Sequence, residues 1–261
     1  MNKYSILSAL IFILLGTSCA EEKQLEVEVE NVEIQTTETK EVAKTKNNIE
    51  VETQTTETKE VAKTKNNIVV DFKEFPKNSA GKEIWTSKIK EGKPDVKVVK
   101  DKDLKIDVLR LRSDEASYFY QKELKNVNLD KNGIVSWKWK VTKNPKGGDV
   151  RKRSTDDQAI QVLLAFEGKY IISYIWDPTA PVGYSKDASI PFFLAQKVIV
   201  LESGEKNINK WMEIRRDVKA DFKKLYGKDA PKLGGVAVQI NSQHTESKCE
   251  SFVSPIVFEE K

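Results

Sequence analysis

Histidine occurs once in the 261 residues, at His244, and cysteine twice, at Cys19 and Cys249. A three-histidine metal site is therefore excluded, and any Ser-His-Asp or Cys-His arrangement must use His244. There is no Gly-x-Ser-x-Gly nucleophile elbow and no glycine-rich phosphate loop. From Ala20 to Ile68 there is no aromatic residue, proline or glycine. Apolar content there is too low to offset the entropy of ordering, so the stretch reads as a disordered tether. It holds a tandem repeat: VEIQTTETKEVAKTKNNIE from Val32 recurs as VETQTTETKEVAKTKNNIV from Val51, an offset of 19 residues. Two copies are too few to stack into a common core. The repeat reads as tether, with an adhesive or partner-binding role as the sharper alternative.

At the N-terminus, Lys3 precedes the apolar run ILSALIFILLG and the small residues TSC. The run is too short and wrongly flanked for a spanning helix and reads as a signal peptide over residues 1–18. LLGTSC resembles a bacterial lipobox, although Gly16 stands where a large apolar residue is usual and Leu15 falls one position early. The resemblance implies lipid on Cys19 and a membrane partner through it. Ala20, in place of an inner-membrane retention aspartate, points to the outer membrane or cell surface. Cys249 then has no intramolecular partner and reads as a partly buried thiol rather than a nucleophile.

Charge separates the segments. Ala20 to Ile68 carries 12 acidic and 7 basic residues, and Val69 to Lys261 carries 36 basic against 28 acidic. A basic domain on an acidic tether suits an anionic polysaccharide or phospholipid headgroups, although most of these lysines read as solvated faces. Nucleic acid is not expected, because the protein reads as exported and lacks an aromatic-basic RNA motif.

The remaining part, residues 69–261, is long enough for one domain with a substantial core. Short runs such as KIDVLRLR, IVSWKWKV, AIQVLLAFEG, YIISYIWD and GGVAVQI are rich in β-branched and aromatic residues and bounded by turn formers. They predict a mainly β, antiparallel sandwich. One helix is expected in DVKADFKKLYG, with Val218, Phe222 and Leu225 on one face, Asp217 as N-cap and Gly227 as stop. A hairpin is expected at Glu167 and Gly168. In SWKWKV, Trp137 and Trp139 share one strand face and Lys138 and Lys140 the other. The indoles read as core.

VVDFKEFP, SWKWKV, the GGD…DDQAIQV block, ISYIWD and the W…RRDVKADF…LYG block together resemble the bacterial exported domain-of-unknown-function family DUF3047. The resemblance implies a jelly-roll fold similar to carbohydrate-binding modules and implies no established activity. The family tends to carry an Asp-x-Asp-Asn-Thr run near its end, where this chain has Asn241-Ser242-Gln243-His244-Thr245. Without those carboxylates a hard cation lacks its ligands, and no metal or cofactor is expected.

Ligand contacts are expected from Tyr174 and Trp176, which share a strand face before the loop DPTAPVGYS, and from Arg215, Asp157 and Lys138. Arg215 and Arg216 suit a carboxylate or sulfate. The favoured function is non-catalytic binding of carbohydrate or another envelope ligand. The alternatives are a glycan hydrolase or lyase using Asp156, Asp157, Tyr174 and the arginines, and a structural surface lipoprotein without a small ligand. His244 and Asp149 read as loop and turn residues.

Overall fold

The computed structural model describes residues 66–188 and 195–260. The expected signal peptide, Cys19 and nearly all of the tether lie outside the described residues. The strands are β1 (Ile68–Val70), β2 (Thr86–Glu91), β3 (Asp95–Lys100), β4 (Asp107–Asp114), β5 (Ser117–Glu123), β6 (Ile134–Lys143), β7 (Ile160–Phe166), β8 (Tyr170–Asp177), β9 (Ser185–Asp187), β10 (Ala195–Ser203), β11 (Met212–Asp217), β12 (Leu233–Asn241), β13 (Lys248–Val253) and β14 (Ile256–Glu259). Among the described residues a single α-helix, α1 (Val218–Tyr226), follows β11, and a 3-10 turn spans Arg153–Thr155.

The strands form two sheets, and successive strands cross between them as in a jelly roll. The first sheet runs β1-β14-β6-β13-β4-β3, with β11 also paired to β6. Trp139 pairs with Met212 of β11 and with Val253 of β13, so those strands flank opposite edges of β6. The second sheet runs β2-β5-β12-β7-β8-β10-β9. One pairing departs from the antiparallel expectation: β10 runs parallel to β8. The chain between them supplies the crossover that parallel neighbours need and lays β9 antiparallel on the far edge of β10.

Between the sheets lies the core that the alternating patterns predict. Trp137 and Trp139 are 2% and 0% exposed, their rings edge-to-face at 5.5 Å. Across the interface Trp137 meets Tyr174 at 5.5 Å and Trp139 meets Trp176 at 6.3 Å. Cys249 is also buried and free. The expected helix forms: the Asp217 side chain accepts from the Ala220 N–H at 3.0 Å, and Gly227 ends α1 at φ 69°. Phe222 docks α1 on Phe166 and Tyr170. The β7–β8 turn closes at Glu167, Gly168 and Lys169, with positive φ at the last two.

Candidate functional site

Because side chains alternate, each sheet has an inner face on the core and an outer face. On the second sheet, Tyr118, Val162, Leu164, Ile172, Tyr174, Val238 and Ile240 belong to the core. Their neighbours therefore stand on the outer face, and the strand registers arrange them in rows. One row reads Lys88, Phe119, Gln239, Gln161, Ile175, Val200 from β2 to β10. The next reads Thr86, Gln121, Ala237, Leu163, Ser173, Val198. A third runs Gly235, Ala165, Ile171, Gln196. Phe119, Leu163, Ala165, Ile171 and Ala237 form an apolar cluster of their own, separate from the core.

The face is graded in depth. Toward β8 and β10 its residues are buried, with Ser173 at 0% and Gln196 at 9% exposure. Toward β2 it opens: Thr86, Lys88, Gln121 and Gln239 are half-exposed. Gln196 donates from Nε2 to Ser173 Oγ at 2.7 Å, which leaves its Oε1 buried without a partner. Gln121 Oε1 is likewise buried and unpartnered. Most buried polar atoms find partners, so such exceptions call for an explanation.

A polar network closes one end of this face, where β7 starts and β8 and β12 finish. Asn241 accepts at Oδ1 from the Gln158 N–H and from Gln161 Nε2, and donates from Nδ2 to Asp156 O and Asp157 Oδ1. Asp157 Oδ2 accepts from the N–H and hydroxyl of Thr245 at 2.7 and 2.8 Å. Burial alone would raise the Asp157 pKa, but hydrogen bonds from His244 and Thr245 outweigh it and hold the carboxyl below its ordinary value. His244, 3.5 Å from Asp157, is correspondingly raised by that carboxylate. Asp177 is fully buried and accepts from the N–H groups of Val150, Thr179 and Ala180 and from Gln158 Nε2. Burial nonetheless leaves Asp177 and Asp156 above the usual carboxylate value. Gly148 lies so close that a Cβ there would sit 2.5 Å from Asp157 O, so the GGD block needs glycine for this approach.

Residues 83–257 match the sequence model of a family described as "Protein of unknown function (DUF3047)". The chain belongs to this family. No curated protein matches it. Solved structures similar to it include the xyloglucanase domain of NopAA, a type three effector from Sinorhizobium fredii, in complex with cellobiose; it is 12% identical over 67% of this chain and 93% of that one, with a TM-score of 0.44. Another is the family 11 carbohydrate-binding module of the cellulosomal cellulase Lic26A-Cel5E of Clostridium thermocellum, 12% identical over 75% and 95% of the two chains, with a TM-score of 0.39.

In this DUF3047 domain Asn241 has a local role. The Asn241 amide gives Asp157 a hydrogen at 3.0 Å, where an aspartate would set a second carboxylate against it. Among the described residues, no three His, Cys, Asp or Glu side chains gather as a metal site.

The expected ligand contacts do not converge. Tyr174 and Trp176 are both 0% exposed, so neither can offer a ring face to a sugar. That expectation is corrected: both point inward, opposite to Ser173 and Ile175. Trp176 Nε1 donates to Gly204 O at 3.1 Å, and the Tyr174 hydroxyl to Asp221 Oδ2 at 2.8 Å. Arg216 Nε, on a half-exposed side chain, also binds Asp221, so this helix carboxylate is held from both sides. Arg215 and Lys138 lie on the outer face of the other sheet, paired with Glu259 at 2.9 Å and Glu213 at 3.2 Å. Asp157 alone of the five sits beside the amide face, and its oxygens are committed to the network.

The one tryptophan of five that reaches the surface is Trp211, just before β11. It too is committed: its Nε1 donates to Asp101 and its ring lies 4.7 Å from Lys140 Nζ, which binds Asp101 at 3.1 Å. Sequence reasoning passed over Gln121, Gln161, Gln196, Gln239 and Phe119. The available signal was a glutamine at an alternate position of an apolar strand, as in AIQVLLAF and GGVAVQI.

Proposed function

We propose that this domain is a non-catalytic binding module that takes carbohydrate on the outer face of its second sheet, exported and held at the cell envelope by lipid on Cys19. The observation that carries the reading is the pair of buried, unpartnered carbonyl oxygens of Gln121 and Gln196 on that face. A ligand rich in hydroxyls would supply the missing donors, and the half-exposed Thr86, Gln121 and Gln239 are the polar side chains it meets at the open end of the face. Catalysis is disfavoured by the bonding of the carboxylates. Asp157 and Asp177 are saturated with donors, leaving Asp156 without a second free carboxyl of the kind a glycosidase pair requires.

A glycan array probed with the purified protein tests the reading. Binding to one polysaccharide class without change in the glycan is expected; no binding sinks it, and product formation would promote the hydrolase or lyase alternative. For the anchor, Cys19→Ala is expected to release the protein from the membrane fraction, and unchanged partition would refute lipidation.

A further inference from the structure

We infer that the polysaccharide this face takes is uncharged. The inference rests on the reading of the face as a carbohydrate site and concerns its substrate class. The chain is dense in charge, with 44 Lys and Arg and 40 Asp and Glu in 261 residues. Yet across the rows through β5, β12, β7, β8 and β10, the polar side chains are Gln121, Gln239, Gln161, Ser173 and Gln196, all neutral. Among the described residues, ionisable groups stand at the margins, with Lys88 on β2, Lys186 on β9, Glu123 at the end of β5 and the network of Asp156, Asp157, Asp177 and His244 at one end.

Amides and hydroxyls both donate and accept, as sugar hydroxyls do. They complement a neutral glycan without either partner giving up a charge to a dry surface. A uronate or sulfate laid on the central rows would lose hydration and find cations only at their far ends, Lys88 and Lys186, which is costly. The positive charge of the domain does not help, because on the first sheet's outer face Lys138, Lys140, Arg110, Arg112 and Arg215 are each engaged by a carboxylate. An acidic glycan would have to displace those partners.

Affinity electrophoresis of the full protein separates the outcomes, with mixed-linkage β-glucan and galactomannan as neutral probes and alginate and polygalacturonate as acidic ones. Retardation by a neutral probe, undiminished at ~0.5 M salt where surface electrostatics is screened, and none by the acidic probes is the expected result. Gln239→Ala, at a half-exposed position, should weaken the neutral interaction on the order of tenfold with no shift in Tm. Retardation by acidic probes equal to or stronger than by neutral ones overturns the inference and leaves the carbohydrate reading standing. No retardation by any probe overturns both.

Discussion

The two outer faces of this sandwich are built from the same kind of strand and have opposite chemistry. On the first sheet, charged residues oppose one another across strands: Glu213 faces Lys138 and Glu250 faces Arg112 in register. On the second, the equivalent positions hold glutamine, serine, alanine and leucine. Exposed ion pairs contribute little stability and keep a sheet soluble. The amides of Gln196, 9% exposed, and of half-exposed Gln121, each with a buried unpaired oxygen, do neither. The proposed binding reading rests on that difference.

Substitutions can break this contrast, and the core between the faces sets the scale. Trp139→Ala, fully buried against Trp137 and Trp176, should cost about 3 to 5 kcal/mol in denaturant unfolding. Leu163→Lys, which puts first-sheet chemistry into the amide face, should cost about 3 kcal/mol, because the new ammonium is buried without a partner. The reciprocal Lys138→Leu should stay within about 1 kcal/mol. Equal costs for the two exchanges would erase the distinction between the faces. Asn241→Ala strips donors from Asp157 and acceptors from Gln158 and Gln161, and about 1 to 3 kcal/mol is expected.

A smaller effect is expected from pH. The folded-state pKa of His244 is raised above its ordinary 6.5, so the stability it adds is complete below that value and is lost as pH rises through the raised one. Asp157 has the opposite sign: its contribution holds above the ordinary carboxylate value of 3.8 and is lost as pH falls through the depressed one. His244→Gln should flatten the slope of stability against pH just above 6.5 and also weaken the acid limb, because His244 helps to hold the Asp157 carboxyl down. An unchanged slope would show that the ion pair at the end of the amide face does not form. Smallest of all, Arg215→Ala should change stability by less than about 1 kcal/mol, being an exposed pair.

Much of the fold was legible because period and capping are local. The alternation in SWKWKV assigned Trp137 and Trp139 to the interior, and Asp217 with Gly227 bounded the helix. The parallel pairing of β8 with β10 was not legible, since it depends on a crossover that no local pattern encodes. Asp221 was hidden for a related reason: it is the residue before Phe222, and only the fold brings Tyr174 and Arg216 to it. The candidate site failed on a specific weighting. Trp176 ends its strand beside a loop, which suggested exposure, but its parity with Tyr174 fixed it inward. The glutamines carry the outward parity, but parity alone does not single out a binding residue.

The central claim, that the amide face rather than the ionic face holds the ligand, is tested most directly by NMR. Backbone and side-chain amide shifts would be followed while a soluble mixed-linkage β-glucan oligosaccharide is titrated into the protein. The account predicts perturbations centred on the side-chain amides of Gln121, Gln239 and Gln161, with Lys138, Arg215 and Trp211 unmoved. Perturbations centred on Lys138, Arg215 and Trp211, with the glutamine amides unmoved, would contradict it.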